Sequence, residues 1–304
     1  AEYFKDKFKF DLTNYKRMYN YNFHKGVQEK LNNLNNIDIA AATQFLLEEM
    51  LRQLVKKIYD YQCMYNINNL VYSGGVALNC VANTNIFLKK FNNNIFIFPN
   101  PGDSGTSVGA ALVENKQKVR FDSIYLGYKM KELEVNDINS IVDYLIQNKI
   151  VGLAHGRAEF GPRALGNRSL LADPRFDNIK DEVNKIKQRE KFRPFAPVIL
   201  EEKFNEYFET FGLKSSPYMQ YTLKCKYPEL FPSIIHVDHT SRIQTINKDQ
   251  NKFLYLLLSN FYEKTNCPML LNTSLNIKGK PILNDVNDAK QFESLYGVKI
   301  FYAI

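Results

Sequence analysis

Apolar and polar positions along the 304-residue chain alternate between helical and extended periods. Between residue 39 and about residue 61, apolar side chains recur at Ala42, Phe45, Leu46, Leu47, Leu51, Leu54, Val55 and Ile58. This spacing predicts a long amphipathic helix, with Asp38 placed to cap its N-terminus. Residues 70–73 read as a short strand, followed by Gly74-Gly75 and a second helix over about 76–91. Residues 95–98 form a continuous apolar run, hence a buried strand, and the glycine-rich PNPGDSGTSVGAAL (99–112) turns into another helix. Strands separated by glycine turns and helices predict an α/β fold. The charged segment 114–131 is short of core residues and reads as a linker. Beyond it, helices are expected at 136–148, 178–189 and 251–264, and strands at 150–154 and 269–271. The lysine-rich face of the helix at 178–189 is expected to be solvated. Residues 1–36 are Asn-rich without a clear period and receive no assignment.

The length gives room for two domains, and a chain that is 45% hydrophobic and 13% aromatic is a folded one. The formal charge of +8 suits an anionic partner. Seven of the ten arginines lie between Arg157 and Arg242, whereas lysines are spread throughout. Clustered arginine points to a polyanion pocket. Faces that mix signs, such as Glu48, Glu49, Arg52, Lys56 and Lys57, argue against a continuous nucleic-acid stripe. Cys63, Cys80, Cys225 and Cys267 form no C-x-x-C pair, so reduced, mostly buried thiols of a cytoplasmic protein are expected. No apolar run approaches membrane-spanning length.

The richest chemistry lies in GRAEFGPRALGNRS (156–169), which holds Arg157, Arg163, Arg168, Glu159 and four Gly/Pro residues directly after an apolar strand. Several arginines converging at a strand end call for an anion, and guanidinium forks hold phosphate or carboxylate bidentately. The alternative is a surface loop whose arginines pair with acids such as Asp173. YSGGVALN (72–79) brings a glycine pair to a strand end, suited to a nucleotide approaching the backbone or simply to a tight turn. Asp103, between glycines, is a candidate metal or ribose ligand, or a helix cap. In KFRPFAPVIL (191–200) prolines hold the chain extended and present Lys191 and Arg193. VDHTSR places His239 and Arg242 three residues apart, and LLNTSLN carries Asn272 at a strand end. His24, His155 and His236 read as structural.

In this order, these motifs resemble the nodulation-type O-carbamoyltransferases, over roughly residues 38–285. The resemblance implies two domains. Residues 1–125 are similar to the C-terminal half of an actin/hsp70-like, metal- and nucleotide-binding carbamoyl-transfer domain. Residues 126–304 are similar to a twisted α/β domain of the threonylcarbamoyl-AMP synthase type. It implies that carbamoyl phosphate and ATP, the latter with Mg2+, form carbamoyl-adenylate in the second domain. The first domain would then pass the carbamoyl group to a hydroxyl. Carried over residue by residue, Arg157, Arg163, Arg168, Lys191, Arg193, His239, Arg242 and Asn272 would line the carbamoyl phosphate and ATP site. Gly74, Gly75 and Asn79 would cradle the adenylate, and Asp103 would bind a divalent metal, Fe2+ in such enzymes. The chain departs from the family in lacking a paired-histidine motif before Asp103, so the rest of the transfer domain is expected in cis or on another polypeptide. A small hydroxylated acceptor is favoured over hydroxymethylated nucleic acid. A homodimer is common for such assemblies, and no membrane partner is implied. The reading from a different class is a non-catalytic nucleotide-binding module.

Overall fold

The computed structural model describes residues 10–11, 16–17, 35–89, 94–115, 119, 121 and 123–303. His24 and most of residues 1–36 lie outside the described residues. The fold is mixed α/β, as the apolar pattern predicts. Contacts divide the chain into two units, residues 1–71 with 81–96, and residues 72–80 with 97–304.

In the first unit, Phe10–Asp11 (β1) pairs antiparallel with Lys16–Arg17 (β2). Helix Asn36–Tyr65 (α1) begins earlier than the apolar stripe suggests. Its cap is Asn35, whose side chain accepts from the Ile37 amide, and not Asp38. Leu46 and Leu51 of the stripe are buried, whereas Phe45 and Leu54 are exposed. Buried Glu48 is matched by Gln44 at 2.9 Å, Arg52 at 3.1 Å and Asn85 at 3.3 Å. The helix expected over 76–91, whose residues up to Cys80 belong to the second unit, is broken into a 3-10 turn (Gly75–Leu78), a short α turn (Cys80–Ala82) and a π turn (Asn83–Leu88). Its expected last residues, 90 and 91, lie outside the described residues. Strands Leu70–Tyr72 (β3) and Ile95–Ile97 (β4) form a two-stranded sheet.

The second unit contains helix Thr106–Asn115 (α2), in which no residue is buried. Its centre is a six-stranded mixed sheet. Helix Asp137–Asn148 (α3) leads into Ile150–Ala154 (β5), and Arg168–Ala172 (β6) returns antiparallel beside it. After helix Ile179–Ile186 (α4) come Ala196–Leu200 (β7), the hairpin Thr222–Lys224 (β8) and Thr240–Arg242 (β9), and Gln244–Ile246 (β10). Helix Lys252–Thr265 (α5), strand Met269–Ser274 (β11), helix Val286–Tyr296 (α6) and Ile300–Phe301 (β12) complete the unit. The strand order is β10-β7-β11-β6-β5-β12. β5 and β7 are apolar in near-continuous runs, and β6 is buried along its whole length, because the sheet is covered on both faces.

Part of the expected linker belongs to this core. Ile124 and Met130 are buried, and Ile124 packs with Leu165, Ala196 and Met219. Its backbone is tied to the arginine loop through Gly127 to Ala158 (2.9 Å), Met130 to Gly156 (2.8 Å) and Phe160 to Ile124 (2.8 Å). Charge along this segment hides the pairing, because its outward side chains carry the charge. Among the thiols, Cys225 and Cys267 are buried, Cys80 is half-buried and Cys63 is exposed. Among the described residues no helix is long and apolar enough to cross a membrane.

Candidate functional site

The loop after β5 is shaped by one buried carboxylate. Glu159 Oε1 accepts from the amides of Leu165 (2.8 Å), Asn167 (2.9 Å) and Arg168 (3.2 Å), curling the backbone around itself. Gly161 and Gly166, at φ 137° and 129°, supply conformations that side chains resist. The Gly166 position also leaves no space for a Cβ, which would fall 2.6 Å from Leu254. Asp173 is engaged by Arg175 at 2.6 Å, so it does not neutralise the loop arginines.

The three arginines of this loop go to three different places. Arg168 is fully buried, and its N–H groups donate to the carbonyls of Leu283, His155, Asn167, Tyr128, Gly156 and Asn284. Those donors are spent on the fold, which corrects the expectation that Arg168 contacts a ligand. Arg157 is exposed and donates to the Gly127 carbonyl at 3.2 Å, beside a separate cavity. Arg163 reaches a cluster of cations.

That cluster is the chemical centre of the unit. Burial lowers the Arg163 pKa to about 10, with the charge of Arg242 adding to the shift and the Cys80 thiol opposing it. Arg242, at the end of β9, is likewise lowered by burial, and its Nε is buried with no hydrogen-bond partner among the described residues. Arg189 is pushed down to about 10 by burial and then by Arg193 and Arg242. It stacks 4.3 Å over Phe195 and donates to Asn184 at 2.7 Å, while its Nη2 is buried and unmatched among the described residues. Lys187, immediately after α4, is pushed down to about 7 by burial and by Arg189. Its ammonium donates to the Ser274 carbonyl at 2.5 Å, to the Ser274 hydroxyl and to Asn276. No carboxylate is paired with Arg163, Arg189 or Arg242 among the described residues. Cations held half-buried or buried against one another, with no paired carboxylate, are costly unless an anion enters.

Sequence reasoning missed Lys187 and Arg189, and its placement of this lysine-rich stretch in solvent is corrected for Lys187. The overlooked signal was their position directly before the extended KFRPFAP segment, which is tied to α4 where the Asn184 side chain donates to the Lys191 and Arg193 carbonyls, both at 3.2 Å.

The remaining expected residues divide. Lys191 is exposed and paired with Asp181 at 3.0 Å; Arg193 is exposed and paired with Glu190 at 2.8 Å. His239 is exposed, at φ 63° in the turn before β9. Asn272 is buried in β11, where its amide donates to the Ala164 carbonyl at 3.2 Å and to Gln244 at 2.6 Å. Gln244 in turn donates to the Leu165 carbonyl at 3.0 Å, so the pair fixes the backbone that carries Arg163. Asn272 Oδ1 is buried without a partner among the described residues.

Gly74, Gly75, Asn79 and Asp103 sit on two adjoining loops of the same unit. The Gly74 amide donates to the Pro101 carbonyl at 2.8 Å, and Gly74 has φ 103°. Both glycines face open space where a Cβ would stand. Only a 3-10 turn follows them, in place of the expected helix N-terminus. Asp103 is exposed and opens a 3-10 turn whose cap is Gly102, so it is not itself the cap. Among the described residues no three His, Cys, Asp or Glu side chains gather to hold a metal. Asp103 alone does not fit a resident Fe2+.

Burial holds the Lys187 pKa down to about 7, so an anion bound beside it is expected to bind more weakly as pH rises. Lys187 is cationic below about pH 7 and loses its proton as pH rises, so affinity for sulfate, whose charge is constant here, should fall from pH 6 to pH 8.5. Sulfate titrations should lose most of that slope in Lys187→Met; an unchanged slope would assign the titration to another group.

A family model described as "Carbamoyltransferase C-terminus" matches residues 142–302, and one described as "Carbamoyltransferase N-terminus" matches residues 2–112. Nodulation protein NolO of Bradyrhizobium diazoefficiens is 34% identical over 280 residues, covering 83% of this chain and 50% of its own. Nodulation protein U of Sinorhizobium fredii is 32% identical over 257 residues, covering 80% of this chain and 46% of its own. The chain thus spans about half the length of the curated relatives it matches. Among solved structures, P. abyssi Sua5 complexed with L-threonine superposes with a TM-score of 0.43 at 15% identity, over 58% of this chain and 49% of Sua5. With its C-terminal model spanning more than half of the sequence, the chain belongs to the carbamoyltransferase family.

Proposed function

We propose that this chain carries the adenylate-forming half of an ATP-dependent O-carbamoyltransferase. Carbamoyl phosphate and water give carbamate and inorganic phosphate. A carbamate oxygen attacks the α-phosphorus of ATP to form carbamoyl-adenylate with release of pyrophosphate, and the carbamoyl group then passes to a hydroxyl of a small molecule with release of AMP. The observation that carries this reading is the cluster of Arg163, Lys187, Arg189 and Arg242, in which no arginine is paired with a carboxylate among the described residues and only Glu190 acts on Arg189 from nearby. Two polyanions must be brought together there, and fixed cations offset their repulsion and the charge that develops at phosphorus. Asn272 supports the carbamoyl half of the assignment. Its Nδ2 is fixed by two acceptors, so its unmatched atom is an oxygen. An oxygen acceptor repels phosphate but suits a carbamoyl NH2 group.

In this reading residues 126–304 form the adenylate and the loops of Gly74, Gly75, Asn79 and Asp103 belong to transfer. Mg2+ enters with ATP. Any Fe2+ at Asp103 needs ligands beyond the described residues, from the same polypeptide or another. The mixed charges of α1, where Arg52 pairs with Glu48, support a small acceptor over nucleic acid.

The test is pyrophosphate release from ATP, with and without carbamoyl phosphate. Release that needs carbamoyl phosphate is expected, and its absence from a protein that binds ATP would leave a nucleotide-binding module instead. In the complete enzyme, Asp103→Ala should reduce transfer while leaving pyrophosphate release nearly intact. Equal loss of both would make Asp103 a structural residue.

A further inference from the structure

The segment that reads as a linker in the sequence holds the arginine loop at two points. The Phe160 amide donates to the Ile124 carbonyl at 2.8 Å, and the neighbouring Tyr125 hydroxyl donates to the Leu165 carbonyl at 3.0 Å. Arg163 lies between those two anchors, so Ile124 and Tyr125 clamp the turn that carries it. Tyr125 packs against the core of Ile124, Leu165, Ala196 and Met219, which gives the clamp a fixed base.

The direction of each bond follows from the groups present. A carbonyl only accepts, so the phenol spends its single proton on Leu165. Burial, with the charge of Glu159 adding, raises the Tyr125 pKa, and the proton stays in place. The phenol oxygen is then free to accept, and Asn251 Nδ2 donates to it at 3.1 Å. The same amide nitrogen donates to Asn167 Oδ1 at 2.8 Å, while Asn251 Oδ1 accepts from the Leu254 amide at 3.0 Å as the N-cap of α5. The start of α5 therefore orients the hydroxyl that fixes the loop. Gln244 also donates to the Leu165 carbonyl, at 3.0 Å, so removing the phenol oxygen loosens this anchor without stranding the carbonyl.

We infer that Tyr125 is a positioning residue for Arg163: its hydroxyl, oriented by Asn251, fixes the Leu165 carbonyl and through it the guanidinium offered to the bound anion. The inference rests on the placement of Arg163 in the anion site.

A double-mutant cycle on the full chain, combining Tyr125→Phe with Arg163→Ala, tests it, with folding followed by the urea midpoint. In the parent, Tyr125→Phe should lower kcat for carbamoyl-phosphate-dependent pyrophosphate release about tenfold and change the KM values by no more than about threefold, because a misplaced charge donor is felt in the transition state. In the Arg163→Ala background the same change should cost less than about twofold. No loss in the parent, or an equal loss in both backgrounds, would overturn the assignment, and equal losses with a lowered urea midpoint would make the hydroxyl structural. Sulfate titration repeats the cycle without carbamoyl chemistry: Tyr125→Phe should weaken sulfate about threefold in the parent and leave it unchanged in Arg163→Ala. Coupling seen with sulfate but no pyrophosphate release would keep Tyr125 in its role and remove the carbamoyl-adenylate reading. Pyrophosphate release without coupling would do the reverse. Should Tyr125→Phe fail to fold, Asn251→Ser keeps an N-cap for α5, frees the phenol and enters the same cycle with the same expected outcome.

Discussion

Replacing Arg163 or Arg242 with alanine should slow carbamoyl-phosphate-dependent pyrophosphate release by roughly 30- to 1000-fold. That factor is the consequence of removing one preorganised charge donor, about 2–4 kcal/mol of transition-state stabilisation. The accompanying stability change has the opposite sign from that of an ordinary core mutation. Arg163 and Arg242 repel each other, Arg189 repels Arg242, and none is paired with an acid among the described residues. Removing one positive charge relieves that repulsion, so the alanine variants should unfold at the same urea concentration as the parent, or higher. Loss of activity with retained stability is the signature of a group kept for its ligand. A variant that makes carbamoyl-adenylate at the parent rate would remove Arg163 and Arg242 from the site, and one that loses activity only by unfolding would make them structural.

Periodicity and motif chemistry reveal unequal parts of this molecule. The strand at residues 150–154 and the helix before it are legible because their apolar spacing is set by burial on both faces of one sheet. β6 is hidden inside the arginine loop, since its first two residues, Arg168 and Ser169, are polar yet buried through contacts distant in sequence. The segment around Ile124 reads as a linker for a similar reason: its value lies in backbone pairing with residues 156–160, which no local pattern encodes. Arginine clustering directs attention to Arg163 and Arg242, which the fold makes neighbours, but it gives Arg157 and Arg168 the same meaning. Only the fold separates an arginine that faces a cavity from one that satisfies carbonyls. Lys187 is the converse case, where a helical wheel places it in water and the turn after α4 takes it inside.

The arginine that satisfies carbonyls leads to a stability effect. Arg168→Met keeps the volume near that of the stem but leaves six carbonyls without their donor and removes a cation that interacts with Glu159. Breaking a buried charged network from one side costs about 3–5 kcal/mol, so the urea midpoint should fall sharply. Glu159→Ala should be comparably damaging, because the amides of Leu165, Asn167 and Arg168 lose a shared acceptor. Glu159→Gln keeps that acceptor and should cost less, about 1–3 kcal/mol from one weakened charge-assisted interaction. The two residues belong to one network, so Arg168→Met combined with Glu159→Gln should cost less than the sum of the single changes. An additive double variant would show that the two charges are independent. A loss below 1 kcal/mol for Arg168→Met would show that water replaces the guanidinium at those carbonyls. Activity should then follow the loop: in the folded fraction of Glu159→Ala, pyrophosphate release should fall although no cluster cation has changed, because the curl that presents Arg163 is gone.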